Sequence, residues 1–239
     1  MATPAPCRAA VVTDPSGHRL HAHPGALSSA PMSPARKIAF IGSHSVRKTN
    51  AVHSFAGAVG RSGRSVEVGR EVVRFSPLGR NEGATPEAQL WAIMAQIQQE
   101  LELRNQADVL VLDRAVVDNF AYFLRVTRGE DPFDVKPLVQ NWSQTYDLFV
   151  RLRPDVALKA DGVRSTNEKF RNEIEKILDL IIPHYIDPDR LIELRASEIT
   201  EGFDWGNLLE RLCGPLGDTK PEPKPVTYAP TLWDFNDQD

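Results

Sequence analysis

The chain has 239 residues, 41% apolar and 25% charged, enough to bury the core of one α/β domain with extensions and without disulfide staples. With 28 basic against 32 acidic residues the net charge is -4, so no global positive field recommends a nucleic acid or an anionic membrane as partner. No apolar run approaches the roughly 20 residues that a membrane-spanning helix needs, and Cys7 and Cys213 lie far apart, outside any metal-ligand spacing, which predicts a reducing, cytoplasmic setting.

Residues 1–35 are rich in Pro, Ala, Ser and His, contain no signal-peptide core, and read as a disordered extension. His21 and His23 belong to that solvated tail rather than to a metal site, and Met32 is a candidate translation start. From Lys37 the pattern changes. Ile38–Ile41 is a continuous apolar run ending at Gly42, as a central parallel strand requires. A polar loop follows, and then Val52, Phe55, Ala56 and Val59 mark one buried helical face closed by Gly60 and Gly63.

Residues 65–73 predict a second extended segment, followed by an irregular stretch with Pro77, Gly79 and Gly83. Thr85 and Pro86 read as N-cap and first helical residue, and Leu90, Ile93, Met94, Ile97 and Leu101 mark a long amphipathic helix. Residues 109–112 predict the next buried strand, running into Asp113 and Arg114, with a helix from about Val116 that stops before Gly129. Residues 148–152 form a further strand, and 159–165 a polar loop. A helix is predicted over 166–182 with Phe170, Ile174, Ile177, Leu178 and Ile181 on one face and Pro183 as its stop. A last strand at 191–194 and a helical turn or two at 207–212 complete an alternation that calls for a parallel sheet covered on both faces. Residues 214–239 form a Pro-rich tail predicted to be disordered, whose aromatic and acidic end, Leu232 to Asp239, is a candidate dock for a partner.

The loop between the first strand and helix, Gly42-Ser43-His44-Ser45-Val46-Arg47-Lys48-Thr49-Asn50, is one residue away from the phosphate-binding pattern G-x-x-x-x-G-K-[ST]. Such a loop aims successive backbone N–H groups and a helix N-terminus at one anion, so side chains matter less than the path of the main chain. Gly42 permits the turn off the strand, Lys48 reaches the β- and γ-phosphates, and the Thr49 hydroxyl takes a Mg²⁺ position. Arg47 stands where the pattern has glycine. If positive φ is needed there, it costs about 1–2 kcal/mol. Its side chain either points outward or fills the cradle, and the sequence leaves both open. Asp113, at the carboxyl end of its strand, is placed to hold Mg²⁺ or to accept a proton, and Arg114 to steady a phosphate.

These pieces, from Arg36 to Leu212, resemble the P-loop nucleoside and nucleotide kinase-like ATPases of the AAA group that includes the ribosylnicotinamide kinase domain. A G-x-H-x-x-G-K-T-T-like loop is matched by Gly42, His44, Lys48 and Thr49 and broken at Arg47 and Asn50. A glutamate and an arginine after the second strand are matched by Glu71 and Arg74, and a T-x-E-x-Q-like helix start, with shifted spacing, by Thr85, Glu87 and Gln89. The D-R-x-x-x-D-N-x-x-Y stretch is matched by Asp113, Arg114, Asp118, Asn119 and Tyr122. The D-G-x-R lid segment is similar to Asp161, Gly162, Val163 and Arg164, with Arg171 following in the helix.

The resemblance implies a three-layer P-loop fold with a central parallel sheet over 36–213 and a lid segment. It also implies ATP with Mg²⁺ held by Thr49 and Asp113, and a catalytic set of Lys48, Asp113, Arg114, Arg164 and Arg171. An acceptor would lie near Glu71, Arg74, Asp118 and Asn119. The expected activity is transfer of the ATP γ-phosphate to a nucleoside, nucleotide or similar small metabolite. The alternatives are a catalytically impaired nucleotide-binding regulatory module, motivated by Arg47 and Asn50, and an interaction protein that uses the tail. Acceptor identity, ATP against GTP, and a homo-oligomeric state are left open by the sequence.

Overall fold

The computed structural model describes residues 34–79, 81–155, 167–200 and 202–214. The expected N-terminal extension up to residue 33, the polar loop with Asp161, Gly162 and Arg164, and the tail from residue 215 lie outside the described residues. Five parallel strands, β1 (Arg36–Ile41), β2 (Val66–Gly69), β3 (Val109–Asp113), β4 (Leu148–Arg153) and β5 (Leu191–Arg195), form one sheet in the order β2-β3-β1-β4-β5. Central β1 pairs with β3, Phe40 opposite Asp113, and with β4, Phe40 opposite Val150. Strands enclosed on both faces need apolar side chains at successive positions, which is why β1 and β3 read as unbroken apolar runs.

Helices cover both faces. On one, α1 (Lys48–Arg61) and α6 (Gly206–Cys213) pack against Ile38, Phe40, Val109, Val111 and Val150 through Val52, Phe55 and Leu208. On the other, α2 (Pro86–Leu103), α3 (Val116–Thr127), α4 (Lys136–Ser143) and α5 (Glu168–Tyr185) cover Ala39, Ile41, Leu110, Leu112 and Phe149. Alternate residues of each strand therefore feed opposite layers. The chain leaves β1 toward the α1 face, whereas the adjacent β3 hands over to α3 on the opposite face. Neighbouring strands whose connections diverge open a crevice at their carboxyl ends, where ligands of open α/β sheets bind. Among the described residues no helix is long and apolar enough to cross a membrane.

Four details depart from the sequence reading. β2 stops at Gly69 instead of running to Val73, because Arg70 exchanges its N–H and C=O with the Gln99 side chain at 3.1 Å each and leaves the ladder; Val72–Phe75 then forms a 3-10 turn. On α2, Met94 and Leu101 are exposed and the buried stripe instead includes Gln96 and Glu100. Helix α4 was not foreseen. Helix α5 passes through Pro183 to Tyr185, since a proline in the last turn removes one hydrogen bond while the buried Ile181, Ile182 and Ile186 hold the turn in place.

Candidate functional site

The loop after β1 has the main-chain path of a phosphate cradle. Gly42 has φ 137°, and a Cβ added there would stand 2.6 Å from the Leu152 carbonyl oxygen, so glycine is required. Ser45 (φ 62°) and Arg47 (φ 60°, ψ 23°) are left-handed, the conformation from which anion-binding nests are built. Arg47 thus carries the backbone cost anticipated for it. Its side chain is exposed, which corresponds to the outward alternative rather than to a blocked cradle. Val46 turns its side chain into the core under α1, leaving its main chain in the loop, and Asn50 is exposed on α1.

Lys48 opens α1 and is only 2% exposed. Its ammonium donates to the carbonyl oxygens of Gly42 at 2.8 Å and Ser43 at 2.5 Å. Burial, then the Arg114 cation, pull its pKa down to about 8. One residue on, the Thr49 hydroxyl donates to Asp113 Oδ2 at 2.6 Å. The other carboxylate oxygen, Oδ1, is buried with no hydrogen-bond partner. A hydroxyl and a carboxylate with an uncommitted oxygen are hard donors of the kind Mg²⁺ prefers, so these two residues fit that ion.

Helix α5 grips the start of the loop. Glu175 accepts from the Ser43 N–H at 3.0 Å, and its second oxygen takes a 3.0 Å bond from Arg151 on β4. His44 stacks on Phe170, ring centroids 5.1 Å apart. Both His44 ring nitrogens are buried without hydrogen-bond partners, so the ring shapes the loop by packing. Burial, with the charges of Arg114, Lys48 and Arg171, lowers the His44 pKa to about 4 and keeps it neutral. Arg171 is buried on α5, one turn before Glu175.

Beside the loop lies a cleft whose wall includes His44, Glu71, Arg74, Gln89, Arg114 and Asn119. Glu71 joins the two arginines: Oε2 accepts from Arg74 Nε at 2.7 Å, and Oε1 from Arg114 Nε at 3.0 Å. Arg114 has φ 92° and lies over the Tyr122 ring at 4.9 Å. Its Nη1 donates to Asp118 Oδ2 at 3.2 Å, while Asp118 Oδ1 accepts the Ala115 N–H at 2.9 Å at the start of α3. Burial raises the Asp118 pKa to about 6 against the pull of Arg114 and Lys48. Asn119 is 1% exposed and its Nδ2 has no partner.

The fold therefore brings Glu71, Arg74, Arg114 and Asn119 to one cleft and Lys48, Thr49 and Asp113 to its edge. Asp118, expected at the acceptor, does not line the cleft; it braces Arg114 from behind. Arg164 lies outside the described residues. Sequence reasoning missed Glu175, and it missed a hub on Glu100, which accepts from Lys37 (2.7 Å), Trp142 (2.7 Å), Gln96 (2.9 Å) and Tyr146 (2.5 Å). Gln96 also donates to the Arg114 carbonyl at 3.2 Å, and the Tyr146 hydroxyl accepts the Val116 N–H at 3.1 Å, so the hub fixes the turn that carries Asp113 and Arg114. The available signal was a polar residue interrupting an apolar helical stripe: Gln96 and Glu100 beside Ala92 and Ile93, and Glu175 between Ile174 and Leu178.

Comparison with known proteins agrees with this architecture. No curated protein gives a significant match to the sequence. Among solved structures, NadR in complex with NAD and AMP-PNP superposes with a TM-score of 0.52 at 15% identity, over 80% of this chain and 52% of NadR, so the chain spans about half of that protein. Thymidylate kinase from Candida albicans superposes with a TM-score of 0.50 at 13% identity, over 74% of this chain and 92% of the kinase. At such identities the likeness is one of fold, and that fold is the P-loop kinase-like one. A family model described as AAA domain matches residues 37–183, more than half of the sequence, and the chain belongs to the AAA domain family.

Proposed function

We propose that the protein is an ATP-dependent kinase that phosphorylates a hydroxyl of a small acceptor of nucleoside size. The observation that carries this reading is the shared border of the two sites: His44 belongs to the phosphate loop and the cleft alike, and Asp113 with its Thr49 bond directly precedes cleft-lining Arg114. Phosphoryl transfer asks a protein mainly for positioning and charge neutralisation, and these elements supply both.

The loop amides and Lys48 hold the β- and γ-phosphates. Thr49 and Asp113 would hold Mg²⁺, which supplies neutralisation of the phosphate charge. The acceptor oxygen forms its bond to the γ-phosphorus as the bond from that phosphorus to the bridging oxygen breaks, releasing ADP. The hydroxyl proton is assigned to Asp113, whose Oδ1 has no hydrogen-bond partner, whereas both oxygens of Glu71 are held by arginines. Arg171 and Arg164 are assigned to the transferring phosphate, in keeping with the sequence resemblance.

A thermal-shift titration with ATP and GTP, with and without Mg²⁺, followed by an ADP-release assay over a nucleoside panel, tests the reading. Stabilisation by Mg²⁺-nucleotide is expected by mass action, and its absence for both nucleotides would sink the proposal. The departures at Arg47 and Asn50 favour a second reading, a nucleotide-binding regulatory module without turnover. That reading expects binding with no ADP release, and a sharp gain of turnover in Arg47→Gly.

A further inference from the structure

Among the described residues, the two arginines that line the cleft are engaged in internal pairs. Glu71, a buried carboxylate, is bonded to Arg74 on one oxygen and to Arg114 on the other. Arg114 is held on its far side by the fully buried Asp118. The formal charges of Glu71, Asp118, Arg74 and Arg114 cancel, and His44 adds none. The rest of the described wall is uncharged: the hydrogen-bonding Asn81, Gln89 and Asn119, the last with an unpartnered Nδ2, stand beside the apolar Val73, Ala88 and Ala92.

A phosphate monoester carries about -1.5 to -2 charges at neutral pH. To bind either guanidinium it would have to share a cation already paired with Glu71, which weakens the pairing of a buried carboxylate. It would also place its own charge against Glu71 and Asp118. A neutral acceptor alcohol meets neither penalty and finds amide donors and acceptors. We propose that the cleft selects an unphosphorylated, uncharged acceptor of nucleoside type and rejects nucleoside monophosphates, with Glu71 as the specificity-determining residue. This rests on the kinase reading for turnover, but the charge pairing judges acceptor binding independently of it.

The test measures, at pH 8, calorimetric binding of a panel of nucleosides and their 5′-monophosphates to the full chain without ATP, and then ADP release with Mg²⁺-ATP. At least one nucleoside is expected to bind at least about 10-fold more tightly than its monophosphate, and to give at least about 100-fold higher kcat/KM. Glu71→Gln removes the negative charge that both arginines share and should bind the monophosphate about 10-fold more tightly than the wild type. Should that variant not fold, Asp118→Asn keeps an acceptor for the Ala115 N–H, removes one of the two carboxylates paired with Arg114, and should shift preference the same way. Preferential binding of monophosphates to the wild type, no binding of any nucleoside, or unchanged monophosphate affinity in the folded variants overturns the inference. Absence of Mg²⁺-nucleotide binding in a separate titration would instead remove the kinase reading and leave the charge argument standing.

Discussion

The two layers that enclose the sheet are built on different principles. Under α1 and α6 the core is apolar and interlocked by rings: Phe40, Phe55 and Trp205 meet with centroids 5.6–5.9 Å apart. Under α2 to α5 the core also buries Glu100, Gln96, Asp118, Arg151 and Glu175, each in hydrogen bonds that end on the loops of the site. Packing that is merely dense can be rebuilt in many ways, but a carboxylate with four donors fixes one geometry. The second layer surrenders some apolar contact and gains aim: it points Asp113, Arg114 and the first residues of the phosphate loop.

Matched truncations, one in each layer, break this comparison most directly. Phe55→Ala should cost about 3–5 kcal/mol of stability by opening a cavity, and Glu100→Ala about 3–5 kcal/mol by removing the buried carboxylate that Lys37, Gln96, Trp142 and Tyr146 share. Denaturant melts would read both. Kinetics on protein kept folded should then separate them, with kcat unchanged in the first and lowered in the second.

Lys48→Ala should reduce kcat/KM for phosphoryl transfer by about 100- to 1000-fold, equivalent to about 3–4 kcal/mol of transition-state stabilisation. Its melting temperature should not fall, since the substitution removes a buried cation.

A pH series sharpens the contrast at His44. Its pKa is about 4 in the fold against 6.5 in an exposed chain. The unfolded chain therefore takes up a proton that the fold refuses, and the stability present above pH 6.5 is lost toward pH 4, by up to about 3 kcal/mol. Asp118 works the other way: its folded pKa of about 6 lies above 3.8, so its contribution grows as pH falls through that window. The two offset each other in the wild type. His44→Phe, which keeps a ring on Phe170, should therefore lose less stability than the wild type between pH 6.5 and 4 in urea melts; equal losses would contradict the assignment. The smallest effect is expected for Arg47→Gly, a gain of about 1 kcal/mol from relief of the left-handed backbone, partly offset by the chain entropy of glycine.

The strand-loop-helix opening was legible because two periodicities meet there: Ile38–Ile41 is apolar at every position, and α1 is apolar at the helical interval. Gly42, Lys48, Thr49 and Asp113 followed from that placement. Their placement at one crevice needed the strand order, which puts Phe40 opposite Asp113. Helix α4 was hidden because it is two turns long and buries only Val139 and Ser143, too few to set a period, although Pro137 at its start was a fair signal. The Glu100 hub was invisible for another reason. Periodicity detects apolar stripes, and Gln96 and Glu100 lie on the buried face as polar residues whose partners, Lys37, Trp142 and Tyr146, are far away in the chain.

Arg47 bears on how such proteins are found. Its guanidinium faces solvent while its main chain follows the left-handed path that glycine follows elsewhere. A screen that demands glycine before the lysine would discard this chain for a side chain that stays clear of the cradle. Searches keyed to torsion angles instead of letters would retain it, and would uncover other loops whose spelling has drifted while their shape has not.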